Sequence, residues 1–194
     1  MKRYGWKREL AAVLVAVVWV VTHFAGRFWD LHFRQWAFSD DSRALLLPGK
    51  WKGSFIDPDG VKKEMALEIF PPPTAAEVWL SKESSRYRPN FSLMRELKGK
   101  GTVLSKLGKE AYRVEGMVDE DDDHLFRLSF MPVGGKYSID RDFYVSLVEK
   151  GNWKNNQMQL TLIFNYYIDG GTRWDSADPR FDQHPILTLT RQKE

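Results

Sequence analysis

Two kinds of hydrophobic pattern divide the chain. Residues 10–21 form an almost purely apolar run, which four basic residues and Glu9 precede. From Pro48 onward, apolar and polar residues alternate instead, which is typical of strands that bury one face. The pattern predicts a single N-terminal helix followed by an all-β domain.

The apolar run predicts a transmembrane helix over residues 10–29. Such a helix would span roughly 30 Å, which matches the hydrocarbon core of a bilayer. The aromatic residues between Phe24 and Phe38 resemble a belt at the membrane interface. A cleaved signal peptide and a buried core helix are the alternatives. His23 disfavours cleavage after Ala25, and the basic flank disfavours a core helix.

Charge predicts which way the helix crosses. Residues 1–9 are basic and are expected in the cytoplasm, which places the β-domain outside by the positive-inside rule. The expected location is a bacterial inner membrane, single-pass, with a periplasmic domain. A cytoplasmic domain is the alternative, because the charge bias is modest. Residues 30–46 form an amphipathic connector, which either lies along the membrane or packs on the domain.

The domain, residues 47–194, is predicted to be an antiparallel up-and-down barrel of about eight strands. Strand-like stretches occupy residues 51–55, 65–69, 77–81, about 91–104, 112–118, 125–131, 143–147, 157–168 and 186–191. No helical period separates them, so parallel βαβ units are not expected. Closure into a barrel would satisfy the edges of such a sheet.

Composition narrows the function classes. Apolar residues make up 43% and aromatic residues 14% of the chain, which indicates a packed globular domain. Part of the net charge of +3 lies in the first eight residues, so the domain is near neutral and binding of a nucleic-acid polymer is not expected. The absence of cysteine excludes disulfides, thiol nucleophiles and Cys-ligated metals.

Gly49 and Trp51 open the first strand, and Arg191 ends the last one. This arrangement resembles the lipocalin and wider calycin pattern. The resemblance implies that Trp51 sits at the closed end of the barrel and that Arg191 packs over it. The second lipocalin motif, Thr-Asp-Tyr, is absent.

A second resemblance is to the small membrane effectors of bacterial antiphage CBASS systems, which sense a cyclic dinucleotide through a minimal β-barrel. Residues 48–53, Pro-Gly-Lys-Trp-Lys-Gly, look like the Gly-x-Trp-x-Gly that opens that barrel, and Ser81–Arg88 falls where that family has a Ser-rich strand. The resemblance implies oligomerisation and membrane disruption. Two features depart from that family: a single membrane segment and an outward-facing domain.

A basic and aromatic region is the candidate for ligand binding at the barrel mouth. Its residues are Arg86, Tyr87, Arg88, Phe91 and Lys98. Guanidinium groups suit phosphate or carboxylate recognition, and aromatic rings stack on bases or sugars. Ordinary surface charge beside a structural aromatic residue explains the same stretch.

Two further loops carry candidate residues. Arg173 and Trp174 follow two glycines and are residue types common at partner contacts, although a hairpin crossover with a buried Trp explains them equally. Asp119–Asp123 could bind Ca²⁺, but it lacks the spacing of an EF-hand loop, so a solvated turn is expected.

No catalytic constellation is present, because the four histidines are scattered and nothing near Ser176 resembles a nucleophile elbow. The expected function is non-enzymatic binding of a small ligand or an envelope partner, with no cofactor or metal. The CBASS-type effector and a structural subunit of an envelope complex are the alternatives. Homo-oligomer formation is a further expectation.

Overall fold

The structure is a computed structural model that describes residues 5–80, 94–135, 142–168, 172–174 and 179–193. It contains a long N-terminal helix followed by a closed eight-stranded antiparallel β-barrel. The predicted fold class, an antiparallel barrel preceded by one helix, is therefore confirmed.

Helix α1 spans Gly5–Phe33. Its part from Arg8 to Phe33 is long and apolar enough to cross a membrane, and very little of it is buried against the protein. The side chains of Val13, Val15 and Val18 are each more than half exposed. An apolar helix without a protein partner along most of its length lacks the cover that a soluble core helix would have.

The described residues form nine strands in one sheet. They are β1 (Gly49–Ile56), β2 (Lys62–Ile69), β3 (Glu96–Ser105), β4 (Gly108–Val118), β5 (Leu125–Pro132), β6 (Asp142–Lys154), β7 (Gln157–Ile168), β8 (Thr172–Trp174) and β9 (Ile186–Arg191). Strands β1 to β7 follow one another around the barrel, and β9 pairs with both β7 and β1 to close it. The short strand β8 pairs with the last residues of β7.

The barrel closes tightly between β1 and β9. Gly53 lies opposite Leu189, and a Cβ atom at Gly53 would stand 2.2 Å from the carbonyl oxygen of Thr188. Only glycine permits this approach of one strand to its neighbour. The seam therefore depends on a residue without a side chain.

The two ends of the barrel differ. At the helix-side end β1 begins and β9 ends, and the connector from α1 enters the core through Trp36 and Leu47, which are fully buried. The opposite, distal end carries the turn between β1 and β2 and the starts of β4, β6 and β9. An eight-stranded barrel is just wide enough for its side chains to fill. Inward-facing residues such as Met65, Leu160 and Leu187 are completely buried.

The predicted strand at residues 77–81 is wrong. Helix α2 spans Ala75–Leu80 instead. Its first turn is capped reciprocally, because the amide of Glu77 donates to the Thr74 hydroxyl at 3.2 Å and the amide of Thr74 donates to the Glu77 carboxylate at 2.7 Å. This Thr-x-x-Glu capping box directly follows three prolines. The predicted loop with Arg173 and Trp174 contains β8, and a 3₁₀ helix at Pro179–Asp182 follows it.

Candidate functional site at the helix-side end

Arg191 lies over Trp51 at the helix-side end. Its guanidinium carbon is 4.2 Å from the centre of the indole ring, and it donates hydrogen bonds to the carbonyl oxygens of Pro48, at 3.0 Å, and Leu46. The indole N–H of Trp51 donates to the carbonyl of Leu47 at 3.1 Å. Burial lowers the pKa of Arg191. One cation thus joins the last barrel strand to the connector that leads into the first.

A second buried cation joins α1 to α2. Arg34 is 1% exposed and donates to Asp30 at 2.8 Å and to the carbonyl of Pro73 at 3.0 Å. Asp30 in turn accepts the first amide of α2, that of Ala75, at 3.0 Å. Burial lowers the pKa of Arg34, while the Asp30 carboxylate opposes that shift. The end of α1, α2 and the connector therefore form one fixed junction.

A cavity of about 490 Å³ lies between this junction and the base of the barrel. Its volume falls in the range of about 300–1,000 Å³ that is usual for small-molecule sites. Four parts of the chain contribute to the wall: Leu31 of α1, the connector, the turn between β4 and β5, and Trp153 of β6. The connector residues are Gln35, Trp36, Phe38, Ser39, Asp40, Ala44, Leu45 and Leu46.

The polar side of this cavity centres on Asp123. Burial raises the pKa of Asp123, while Arg95, at 3.7 Å, and the backbone amide of Gln35 act in the opposite direction. Its backbone carbonyl accepts the indole N–H of Trp153 at 2.9 Å, and His124 packs edge-on against the same indole with ring centres 5.1 Å apart. The wall thus combines a carboxyl group, an imidazole and indole rings.

Trp36 is buried and borders this cavity. Its indole N–H has no hydrogen-bond acceptor among the described residues. An unsatisfied buried donor costs about 1–3 kcal/mol. A bound molecule with an acceptor beside Trp36 would remove that cost.

The distal end holds a different polar cluster. Lys63 is fully buried and donates to Asp142 at 2.7 Å, to Glu110 at 3.1 Å and to the carbonyl of Phe143 at 2.6 Å. Asp57 lies 3.6 Å from the same ammonium group. The hydroxyl of Tyr112 donates to Glu110. Three carboxyl groups therefore surround one cation away from water.

Burial raises the pKa of both Asp57 and Glu110, against the opposing effect of Lys63. Hydrogen bonds from the backbone amides of Val61 and Asp59 also lower the pKa of Asp57. One oxygen of Asp57, Oδ2, has no hydrogen-bond partner among the described residues.

Most of the predicted ligand-binding residues lie outside the described part of the chain. These are Arg86, Tyr87, Arg88 and Phe91, together with Ser81–Arg88 of the effector-like stretch. Lys98 is described: it lies on β3, faces outward and is 3.3 Å from Glu96. It does not border either of the two described cavities.

The other candidate residues are spread over the molecule. Arg173 and Trp174 belong to β8, where they pair with Tyr167 and Tyr166 of β7. Asp119 accepts the amides of Asp121 and Asp122, as in a turn. Among the described residues, no group of three or more His, Asp or Glu side chains is arranged to hold a metal ion.

The comparisons with known proteins identify no family. No family model and no curated protein matches the chain. Among solved structures, the chain is similar to a de novo designed fluorescence-activating β-barrel, with a TM-score of 0.37 and 13% sequence identity. The match covers 80% of this chain and 100% of that one.

Sequence reasoning missed both the residues that build the junction of α1, α2 and the connector and those that line the 490 Å³ cavity. Asp30 and Arg34 stand one helical turn apart, which is a recognisable ion-pair spacing. The Thr74–Glu77 capping box was also a readable signal for α2. In contrast, no local pattern connects Asp123 and Trp153 with the connector, because these parts meet only when the barrel closes.

Proposed function

We propose that the chain is a membrane-anchored, non-enzymatic barrel that binds a small ligand or an envelope partner at its helix-side end. The anchor is α1, in a bacterial inner membrane, with the barrel on the periplasmic side. The support for anchoring is the length and apolar character of α1 together with its lack of protein cover. The positive-inside rule supports the orientation.

The observation that carries the proposal of ligand binding is the 490 Å³ cavity between connector and barrel. The barrel interior is occupied by its own side chains, such as Phe55, Tyr112 and Phe143. A ligand therefore binds beside the barrel base and not within the lumen. The indole N–H of Trp36, which has no acceptor within the described part of the chain, and the carboxyl of Asp123 provide a donor and a polar anchor for it.

A variant that fills the cavity tests this proposal. Ala44 borders the cavity and is only partly exposed, so Ala44→Trp would occupy it. Ala66 is exposed on the outer face of β2, so Ala66→Trp is the matched control. The readout is the melting temperature of the detergent-solubilised full chain with and without a small-molecule extract of the cell envelope.

Ligand binding stabilises the folded state by mass action. The extract should raise the melting temperature of the wild type and of Ala66→Trp but not that of Ala44→Trp. An equal rise in all three proteins, or no rise in the wild type, would contradict the proposed site.

Extraction of membranes with alkaline carbonate tests the anchor. Release of the chain from membranes by alkaline carbonate would contradict the anchor.

A further inference from the structure

A second, smaller cavity of about 230 Å³ lies on the other side of the connector. It shares Leu31, Phe38, Ser39 and Asp40 with the larger cavity, and α1 adds His23, Arg27 and Asp30 to its wall. Thr74 and Ala76 close it from the side of α2. It is smaller than a usual drug-sized site of about 300 Å³ or more, so it suits a compact polar group.

The position of this cavity along α1 sets its depth in a membrane. The part of α1 without Asp, Glu, Lys or Arg runs from Leu10 to Gly26, about 26 Å at 1.5 Å per residue. That length is close to the thickness of a hydrocarbon core. Arg27 is the first charged residue beyond it, and His23 lies one turn deeper on the same face. In a bilayer that α1 spans, the cavity would therefore stand at the level of the lipid headgroups.

Charges of both signs line the cavity. Arg27 and His23 offer donors on the membrane side. Asp40 lies across from Arg27, with 2.5 Å between the guanidinium and the carboxylate. Both side chains of this pair are more than 60% exposed, and such pairs contribute only about 0–1 kcal/mol. A ligand can separate them at little cost.

The remaining polar groups are already engaged. Asp30 is held by Arg34 and by the amide of Ala75. The hydroxyl of Thr74 donates to Glu77 at 2.9 Å, and that of Ser39 accepts the backbone amide of Asp41 at 3.1 Å. The groups open to a ligand are therefore the cation of Arg27, the imidazole of His23 and the carboxylate of Asp40.

We propose that this cavity binds the headgroup of a zwitterionic phospholipid that carries a primary ammonium group. The phosphate contacts Arg27 and His23, and the ammonium donates to Asp40. The acyl chains continue along the exposed apolar face of α1, which includes Val20 and Phe24. An anionic headgroup without an amine would meet Asp40 unpaired, and a choline group has no N–H to donate to it.

The experiment is native mass spectrometry of the detergent-solubilised full chain, titrated with phosphatidylethanolamine, phosphatidylglycerol and phosphatidylcholine of identical acyl chains. We expect phosphatidylethanolamine to bind about tenfold more tightly than the other two, which corresponds to one charge-assisted hydrogen bond in a partly exposed site. Soluble glycerophosphoethanolamine should give no adduct, because it lacks the acyl chains.

Two variants and a neighbouring control locate the site. Asp40→Asn should remove the preference for phosphatidylethanolamine over phosphatidylcholine, and Arg27→Gln should weaken binding of both. Asp41→Asn is the control, because Asp41 is exposed, pairs with Arg43 and does not border the cavity. Equal effects of Asp40→Asn and Asp41→Asn, preferred binding of phosphatidylglycerol, or equal binding of the soluble headgroup would overturn the inference.

This inference rests on the proposed anchoring of α1. Different results would contradict the lipid site and the anchor. A chain that resists carbonate extraction but binds the three lipids equally contradicts only the lipid site. A chain that carbonate releases contradicts the anchor itself, whatever lipid it binds in detergent.

Discussion

Arg191 caps the indole of Trp51, with its guanidinium carbon 4.2 Å from the ring centre, and holds two carbonyl groups of the connector. Three kinds of contact thus meet in one residue: its side chain makes a cation–π contact and hydrogen bonds to the connector, and its backbone pairs with β1. Lysine has the same charge but cannot reproduce the flat, forked geometry.

We therefore expect Arg191→Lys to lower the free energy of unfolding by about 1–3 kcal/mol, through the loss of stacking and of one buried hydrogen bond. Chemical denaturation of the detergent-solubilised chain, followed by circular dichroism in the β region, measures this. Arg127→Lys, at an exposed position of β5, should change stability little. Similar losses in both variants would show that Arg191 has no special role.

Lys63→Met should destabilise the barrel by about 3–5 kcal/mol at pH 7, because it leaves Glu110 and Asp142 buried without their cation. The loss should shrink in mild acid, where Glu110, whose pKa burial raises, takes up a proton. Melting temperatures from pH 4 to pH 8 measure it. Lys62→Met, at the exposed neighbouring position on β2, should show no such pH dependence. A pH-independent loss would indicate a packing defect instead.

The raised pKa values of Asp57 and Glu110 predict the direction of the pH dependence of the wild type. The two carboxyl groups stay protonated up to a higher pH in the folded state than in the unfolded state. In the unfolded state their pKa values are near the ordinary 3.8 and 4.5. Proton binding by these two groups therefore contributes its full stabilisation below the unfolded-state pKa values. That contribution is lost as the pH rises through the raised folded-state pKa values.

Asp57→Asn should flatten this part of the stability curve, because the amide stays neutral at every pH while it can still accept the turn amides. Glu64→Gln, at an exposed position beside Lys63, is the control and should leave the slope unchanged. The readout is the free energy of unfolding against pH. A slope that Asp57→Asn leaves intact would assign the dependence to other groups.

The close contact between Gly26 of α1 and Ala76 of α2 predicts that a larger side chain at Gly26 will loosen the packing of the two helices. A Cβ atom at Gly26 would lie 2.8 Å from the Cβ of Ala76, so Gly26→Leu should displace α2. Overpacking of this kind costs about 1–3 kcal/mol, which should speed amide exchange in residues 75–80 by about tenfold. Ala25→Leu, on the exposed face, is the matched control. Unchanged exchange in Gly26→Leu would contradict close helix packing.

The orientation of the barrel can be measured directly, since the chain has no cysteine. A single cysteine at Asp121, in the exposed turn between β4 and β5, should react with an impermeant thiol reagent in intact cells. A second cysteine at Lys106, in the exposed turn between β3 and β4, provides a check at the distal end. Protection of both in intact cells and labelling after lysis would place the barrel in the cytoplasm, as the CBASS-type alternative requires.

Alternation of apolar and polar residues was sufficient to predict the barrel, because Met65, Leu67 and Ile69 face inward as a period of two requires. It failed at Glu77, where a short helix with a capping box resembled a strand in composition. The polar cluster could not be predicted from local sequence patterns, since Lys63 meets Glu110 and Asp142 across 47 and 79 residues of sequence. The cavity was equally hidden, because it forms where separate elements come together.

The position of β9 has a consequence for biosynthesis. Thr190 meets Lys52 across 138 residues of sequence, so the edge of β1 stays without its partner for most of translation. At about 5–20 residues per second this interval is on the order of ten seconds. Helix α1 emerges from the ribosome long before that and can enter a translocon first. With α1 anchored as proposed, the nascent sheet would have an open edge beside the bilayer during this interval, and a chaperone that binds extended strands would be able to cover it.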